Sequence, residues 1–122
     1  MLIETDELSS GATIVLNYGE DRAMVTYQGA MAVMSFADID KSVFEKCRHI
    51  HISSIFLQPA LKADLEKILD YARVQGVTTS LDTQWDPTEI WDFDYTRILP
   101  LVSVFLPNEK ELMLLTSSET ID

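Results

Sequence analysis

Cysteine, glycine and positive charge are all scarce in this sequence of 122 residues, and each shortage closes off a class of function. With Cys47 alone there can be no internal disulfide and no thiol cluster of zinc-finger spacing. No activating pair stands beside it, so it reads as a buried, reduced thiol. The four glycines, Gly11, Gly19, Gly29 and Gly76, are scattered, which excludes a dinucleotide-binding fingerprint or any other glycine-rich cradle for phosphate. Nine basic residues against twenty acidic ones leave a net charge of −11, which opposes affinity for nucleic acid or for an anionic membrane surface. No apolar run approaches the roughly 20 residues that cross a bilayer. The start, Met1 to Glu7, is acidic where a signal peptide is basic and then apolar, so the expected location is the cytosol. No serine, histidine and aspartate constellation stands out either.

What remains is an ordinary globular composition, 47% hydrophobic and 24% charged, in a chain long enough for one core and too short for two. Ala12–Tyr18 and Ala23–Tyr27 are β-rich runs separated by Gly19-Glu20-Asp21-Arg22, which predicts a β-hairpin. Ser35 to Asp38 has the pattern of a helix start, with Phe36, Ile39, Val43 and Phe44 on one face of the helix that follows. His49 to Leu57 reads as a strand. Pro59 then opens a helix whose stripe of Leu61, Leu65, Ile68, Leu69 and Ala72 stops at Gly76. The pattern recurs as a strand over Val77 to Asp82, a short helical segment at Asp94 to Leu99, a strand over Val102 to Leu106, and a last helix from Asn108 to Leu115. Such alternation predicts an α/β fold with a parallel sheet and flanking helices, preceded by an antiparallel hairpin. One unit over 1–122 is expected, with hairpin and exit at about 11–34 and the α/β core segment at about 35–122.

Ligands of open parallel sheets sit beyond the carboxyl ends of the strands, which gives weight to two groups of polar residues. Asp82, Gln84 and Trp85 follow one strand, with Trp91 a little later. Asn108 and Glu111, three apart at a helix start, follow the next and face nearly the same way. Such an amide and carboxylate can hold a hydrated Mg²⁺, but on spacing alone a helix-capping box is favoured. A turn-forming role is likewise favoured for Asp82. His49 and His51 face one side of a strand without a third ligand at fixed spacing, so a surface pair is preferred to a metal site. Met24, Met31 and Met34 read as filling an irregular apolar contact.

The runs Leu81-Asp82-Thr83-Gln84-Trp85-Asp86-Pro87 and Leu106-Pro107-Asn108-Glu109-Lys110-Glu111-Leu112 resemble the strand-end motifs of the ribokinase-like, or PfkB, carbohydrate kinases. Gln84 stands where asparagine is usual. Gly11 to Met31 resembles that family's lid hairpin, and Ile52 to Gln58 the strand end facing its sugar pocket. The resemblance implies phosphoryl transfer from ATP to a sugar, with Asn108 and Glu111 positioning Mg²⁺ through water and Asp82 and Gln84 near the phosphates. It also implies a hairpin face around Asn17, Thr26 and Gln28 that borders the sugar. The family's anion hole, aspartate base and most nucleotide contacts have no counterpart in these residues. The expectation is therefore a central piece of a kinase, inactive alone, that binds neither ATP nor Mg²⁺ unaided.

Two other readings compete. One is a noncatalytic assembly module, pairing with a copy of itself or a complementary chain through the lid and the unpaired sheet edges. The other is a receiver-like signalling domain with Asp82 as phosphoacceptor, which lacks the acidic pair and the lysine that such a site requires.

Overall fold

The hairpin forms where the two β-rich runs predict it. β1 (Ala12–Tyr18) and β2 (Asp21–Tyr27) pair antiparallel, with Ala12 opposite Tyr27 and Tyr18 opposite Asp21. The reversal is shorter than expected, because Asp21 and Arg22 join the ladder and leave only Gly19 and Glu20 in the turn. Gly19 adopts φ +66° as the first central residue, a conformation that costs glycine little. At the base of the hairpin a Cβ on Gly29 would lie 2.7 Å from the Gly11 nitrogen and would also strike the Ser9 carbonyl oxygen. This structure is a computed structural model that describes residues 4–120. Met1 to Ile3, where the acidic amino-terminal run begins, lie outside the described residues.

The helix expected from Phe36 to Phe44 breaks in two. A 3-10 turn, Phe36–Asp38, opens where the Ser35 N–H and hydroxyl both donate to Asp38 Oδ2 at 2.8 Å. Ile39 is extended, and α1 (Ser42–Lys46) starts after Asp40, whose carboxylate accepts from the Ser42 N–H and hydroxyl. Two aspartates, two residues apart, each cap a turn of their own, and this local bonding overrides the apolar spacing. The Lys41 ammonium donates to the carbonyls of Phe36 and Ile39 across the break. Phe36 and Phe44 nevertheless meet on Tyr71, edge to face, at centroid distances of 5.6 and 4.9 Å.

β3 (His49–Ser53) stops well before Leu57 because Ser54 turns left-handed and Ile55–Leu57 winds into a 3-10 turn. The stripe that follows is split between α2 (Pro59–Ala63) and α3 (Leu65–Val74) at Asp64, whose carboxylate is drawn to the Phe36 N–H and to Lys67. All five stripe residues are buried, and each of the leucine and isoleucine side chains contributes roughly 1.5–3 kcal/mol. β4 (Thr78–Asp82) lies parallel to β3, with His49 opposite Thr78 and Ser53 opposite Asp82. After α4 (Tyr95–Ile98), β5 (Val104–Phe105) is only two residues long, although the Ser103 and Leu106 N–H groups still donate to Thr79 and Leu81. α5 (Glu109–Thr116) closes the order.

The sheet runs β3-β4-β5, all parallel, so the α/β class with its separate antiparallel hairpin is as expected. Ile52 and Leu81 lie opposite each other and are buried in the core with the helix stripe. Cys47 and Met34 pack against the same core. Residues of opposite parity, His49, His51 and Ser80 among them, take the other face. There His49 Nε2 and His51 Nδ1 each lie 2.8 Å from Ser80 Oγ, so the pair engages a shared hydroxyl.

Candidate functional site

Backbone strain marks the strand ends that build the site. Ser54 and Gln84, at the ends of neighbouring strands, both adopt left-handed conformations with φ of 56° and 55°. Each costs about 1 kcal/mol for a residue with a Cβ. Three hydrogen bonds hold them: the Ser54 hydroxyl donates to Gln84 Oε1 at 2.7 Å, the Ser54 N–H to the Asp82 carbonyl at 3.0 Å, and the Gln84 N–H to Asp82 Oδ1 at 3.1 Å. The Asp82 carboxylate is thereby held by the Gln84 N–H, and its carbonyl is tied to the end of β3.

The loop after Gln84 is gathered around a second carboxylate. Asp86, only 3% exposed, accepts from the Thr88 N–H and hydroxyl and from the Trp91 N–H, each at 2.8 Å. Burial pushes its pKa up, but the bonds from Thr88 and Trp91, with the charge of Lys62, outweigh it and hold the group below the ordinary value. Glu89 and Trp91 are left-handed as well, so this carboxylate stabilises a loop that departs twice from easy backbone geometry. Trp85 stands perpendicular to Trp91 at 5.0 Å, and the Lys110 ammonium lies 4.8 Å from the Trp85 ring.

At the start of α5 the capping box forms. The Glu111 N–H donates to Asn108 Oδ1 and the Asn108 N–H to Glu111 Oε2. Glu111 is buried by this arrangement, yet both residues also line the cleft, so capping and a second role are compatible.

These elements and the inner face of the hairpin enclose a cleft of about 650 Å³. Thr26 and Gln28 enter it from the hairpin, Asp82 and Gln84 from the end of β4, and Asn108 and Glu111 from the start of α5. Asn17 shares the hairpin face but lies beyond the cleft lining, opposite Arg22 near the turn. Trp85 lines the cleft beside Asp82 and Gln84, as its place after the strand suggests, whereas the sequence reading gave no site role to two lining residues of the hairpin, Arg22 and Met24. Arg22 was hidden by the assumed four-residue turn; with two residues in the turn, alternation sets Arg22, Met24 and Thr26 on one face. Met24 is thus an exposed lining residue and does not fill an apolar contact.

A hydrated Mg²⁺ fits this donor set. Among the described residues no group of three metal-ligating side chains is close enough to hold an ion directly. Asp82 and Glu111 each have one carboxylate oxygen engaged by a backbone N–H, and the other oxygen has no protein donor among the described residues. Oxygen ligands acting through water suit Mg²⁺, which gives up its waters reluctantly.

The sequence matches the family model of the pfkB family carbohydrate kinases over residues 1–122. No curated protein matches the chain. Among solved structures, the PfkB protein of Polaromonas sp. JS666 is 23% identical, with a TM-score of 0.70 over 91% of this chain and 41% of its own. Ribokinase of Giardia lamblia is 15% identical, with a TM-score of 0.72 over 96% of this chain and 36% of its own. An E. coli protein assigned as a ribokinase II, solved with ATP and Mg²⁺, is 21% identical, with a TM-score of 0.69 over 93% of this chain and 39% of its own. The chain spans about two fifths of the length of these structures, and at such identities the likeness is one of fold. It is the family match along its whole length, in agreement with the hairpin and the Asp82 and Asn108 strand ends, that makes this chain a member of the pfkB family of carbohydrate kinases.

Proposed function

We propose that these residues form the acceptor lid and the phosphate-facing strand ends of a cytosolic kinase that transfers the γ-phosphoryl group of ATP to a sugar hydroxyl. The observation that carries the reading is that Thr26 and Gln28 of the hairpin share one cleft with Asp82, Gln84, Asn108 and Glu111. In it the amide and hydroxyl of the hairpin hold the sugar, while Asn108 and Glu111 hold the waters of Mg²⁺. When bound, Mg²⁺ supplies charge neutralisation at the phosphates. Gln84 and Asp82 border the phosphates from β4, and the hairpin excludes water from the acceptor.

In this reading Asp82 and Glu111 serve the phosphates and Mg²⁺, none of the named side chains takes the proton of the acceptor hydroxyl, and a γ-phosphoryl group needs a fuller set of donors than Asn108 offers. The 122 residues by themselves are therefore inactive. ADP release by the purified chain with Mg-ATP and a panel of sugars and nucleosides tests this, with N108A and E111A as controls. Sugar-dependent turnover that both substitutions abolish would overturn the inactivity and keep the kinase reading. No turnover in any arm is the expected result.

A second reading, self-association through the hairpin, rests on its other face. Ile14, Leu16 and Tyr18 alternate outward beside Val25 and Tyr27, and all five are exposed, from 41% for Leu16 to 65% for Tyr18. An apolar face of this kind marks a contact surface. Sedimentation as a monomer at every concentration would exclude it, and L16E should abolish any association seen.

A further inference from the structure

The cleft contains one cation among the described residues, and it comes from the hairpin. In a protein of net charge −11, the other ionisable side chains that line the cleft, Asp82 and Glu111, are acidic. Four of the other basic residues are paired with carboxylates on the surface: Lys62 with Asp92, Lys67 with Asp64, Arg73 with Asp70 and Arg97 with Glu66. Arg22 has no carboxylate within 4.0 Å of its guanidinium among the described residues. Its acidic neighbour is turned away from it, since Asp21 Oδ1 accepts from the Arg22 backbone N–H at 2.7 Å and strand alternation sends the two side chains to opposite faces.

A guanidinium left free in this way has a definite use. Its planar fork matches a carboxylate or phosphate with two parallel hydrogen bonds, which an ammonium does not do. It belongs to the same strand face as Thr26, and Asn108 and Glu111 enter the cleft from a different element. The charge therefore faces the acceptor side of the cleft.

We propose that Arg22 makes the cleft selective for an acceptor that bears its own anionic group, a sugar carrying a carboxylate or a phosphate, over a neutral sugar. This rests on the reading of the cleft as the acceptor site of a sugar kinase. Binding of the anionic group satisfies the guanidinium and offsets the repulsion from Asp82 and Glu111. A neutral sugar gains neither, so charge is the specificity filter.

Titration followed by NMR tests it with two reporters, the Arg22 Nε–H and the Trp85 indole N–H, because both side chains line the cleft but only one carries the charge. The ligands are D-fructose, D-gluconate, D-fructose 6-phosphate, inorganic phosphate and Mg-ATP. An anionic sugar should shift both reporters and bind about tenfold more tightly than fructose, the worth of one charge-assisted pair. R22M should bring that ratio to about one, and R22K should recover only part of it. Whether gluconate or fructose 6-phosphate binds better identifies the anion as carboxylate or phosphate.

Equal affinity for neutral and anionic sugars, or a preference that survives R22M, overturns the role of Arg22 and leaves the kinase reading standing. So does an Arg22 signal that answers to inorganic phosphate or Mg-ATP as strongly as to the sugar phosphate. If no sugar of either kind moves the Trp85 signal, the proposal falls together with the reading beneath it.

Discussion

Asn108 and Glu111 satisfy each other across the first turn of α5: the Glu111 N–H donates to Asn108 Oδ1 at 2.9 Å, and the Asn108 N–H donates to Glu111 Oε2 at 3.1 Å. Loss of activity on truncating either residue would thus be ambiguous, because the helix loses its cap at the same time. N108A and E111A are each expected to cost about 1 kcal/mol in urea unfolding. E111Q retains an acceptor oxygen and should stay within about 0.5 kcal/mol of wild type. An E111Q variant as unstable as E111A would show that the charge, rather than the reciprocal bond, holds the turn.

Asp86 gives the site loop its dependence on pH. Its folded pKa lies below the ordinary value of 3.8, so its contribution is complete above that value and is lost as pH falls below it. Acid unfolding monitored by the fluorescence of Trp85 and Trp91 should move to higher pH in D86A, with a loss of about 2 kcal/mol at neutral pH from three broken hydrogen bonds. Unchanged acid and urea transitions in D86A would mean that the loop does not depend on this carboxylate.

Two glycines of the hairpin should respond very differently to one methyl group. Gly19 has a positive φ but nothing within 4 Å of a built Cβ, so G19A should cost only about 1 kcal/mol. At Gly29 the same Cβ meets backbone, 2.7 Å from the Gly11 nitrogen and from the Ser10 carbonyl carbon, and the base of the hairpin must open. Hydrogen exchange across β1 and β2 should be faster in G29A than in G19A. The reverse order would refute the close approach at the base.

Thr83 is fully buried between Asp82 and Gln84, and its hydroxyl has no hydrogen-bond partner among the described residues. T83V keeps the shape and removes the desolvated hydroxyl, so it should raise stability by about 1 kcal/mol. A less stable T83V would reveal a partner for that hydroxyl.

Much of the fold was legible because it rests on periodicity. The β-rich run from Ala12 to Tyr18 and the stripe from Leu61 to Ala72 are local patterns, and the elements that pair or bury them followed. Boundaries failed where a side chain competed with the backbone. Asp40 and Asp64 interrupt helices, and the left-handed Ser54 cuts β3 short, through bonds that apolar spacing does not register.

The candidate site divides along the same line. The polar strand ends at Asp82 and Asn108 could be read directly, since in a parallel sheet position along the chain already places them at one edge. Arg22 could not, because a four-residue turn leaves it in the loop, and only the two-residue turn brings it into the ladder and gives it a face. The order of elements, the family and the polar strand ends are readable along the chain. That Arg22 stands over those ends and brings a cation to them is a matter of packing, because that closure joins residues about 60 to 90 positions apart, beyond the reach of any local pattern.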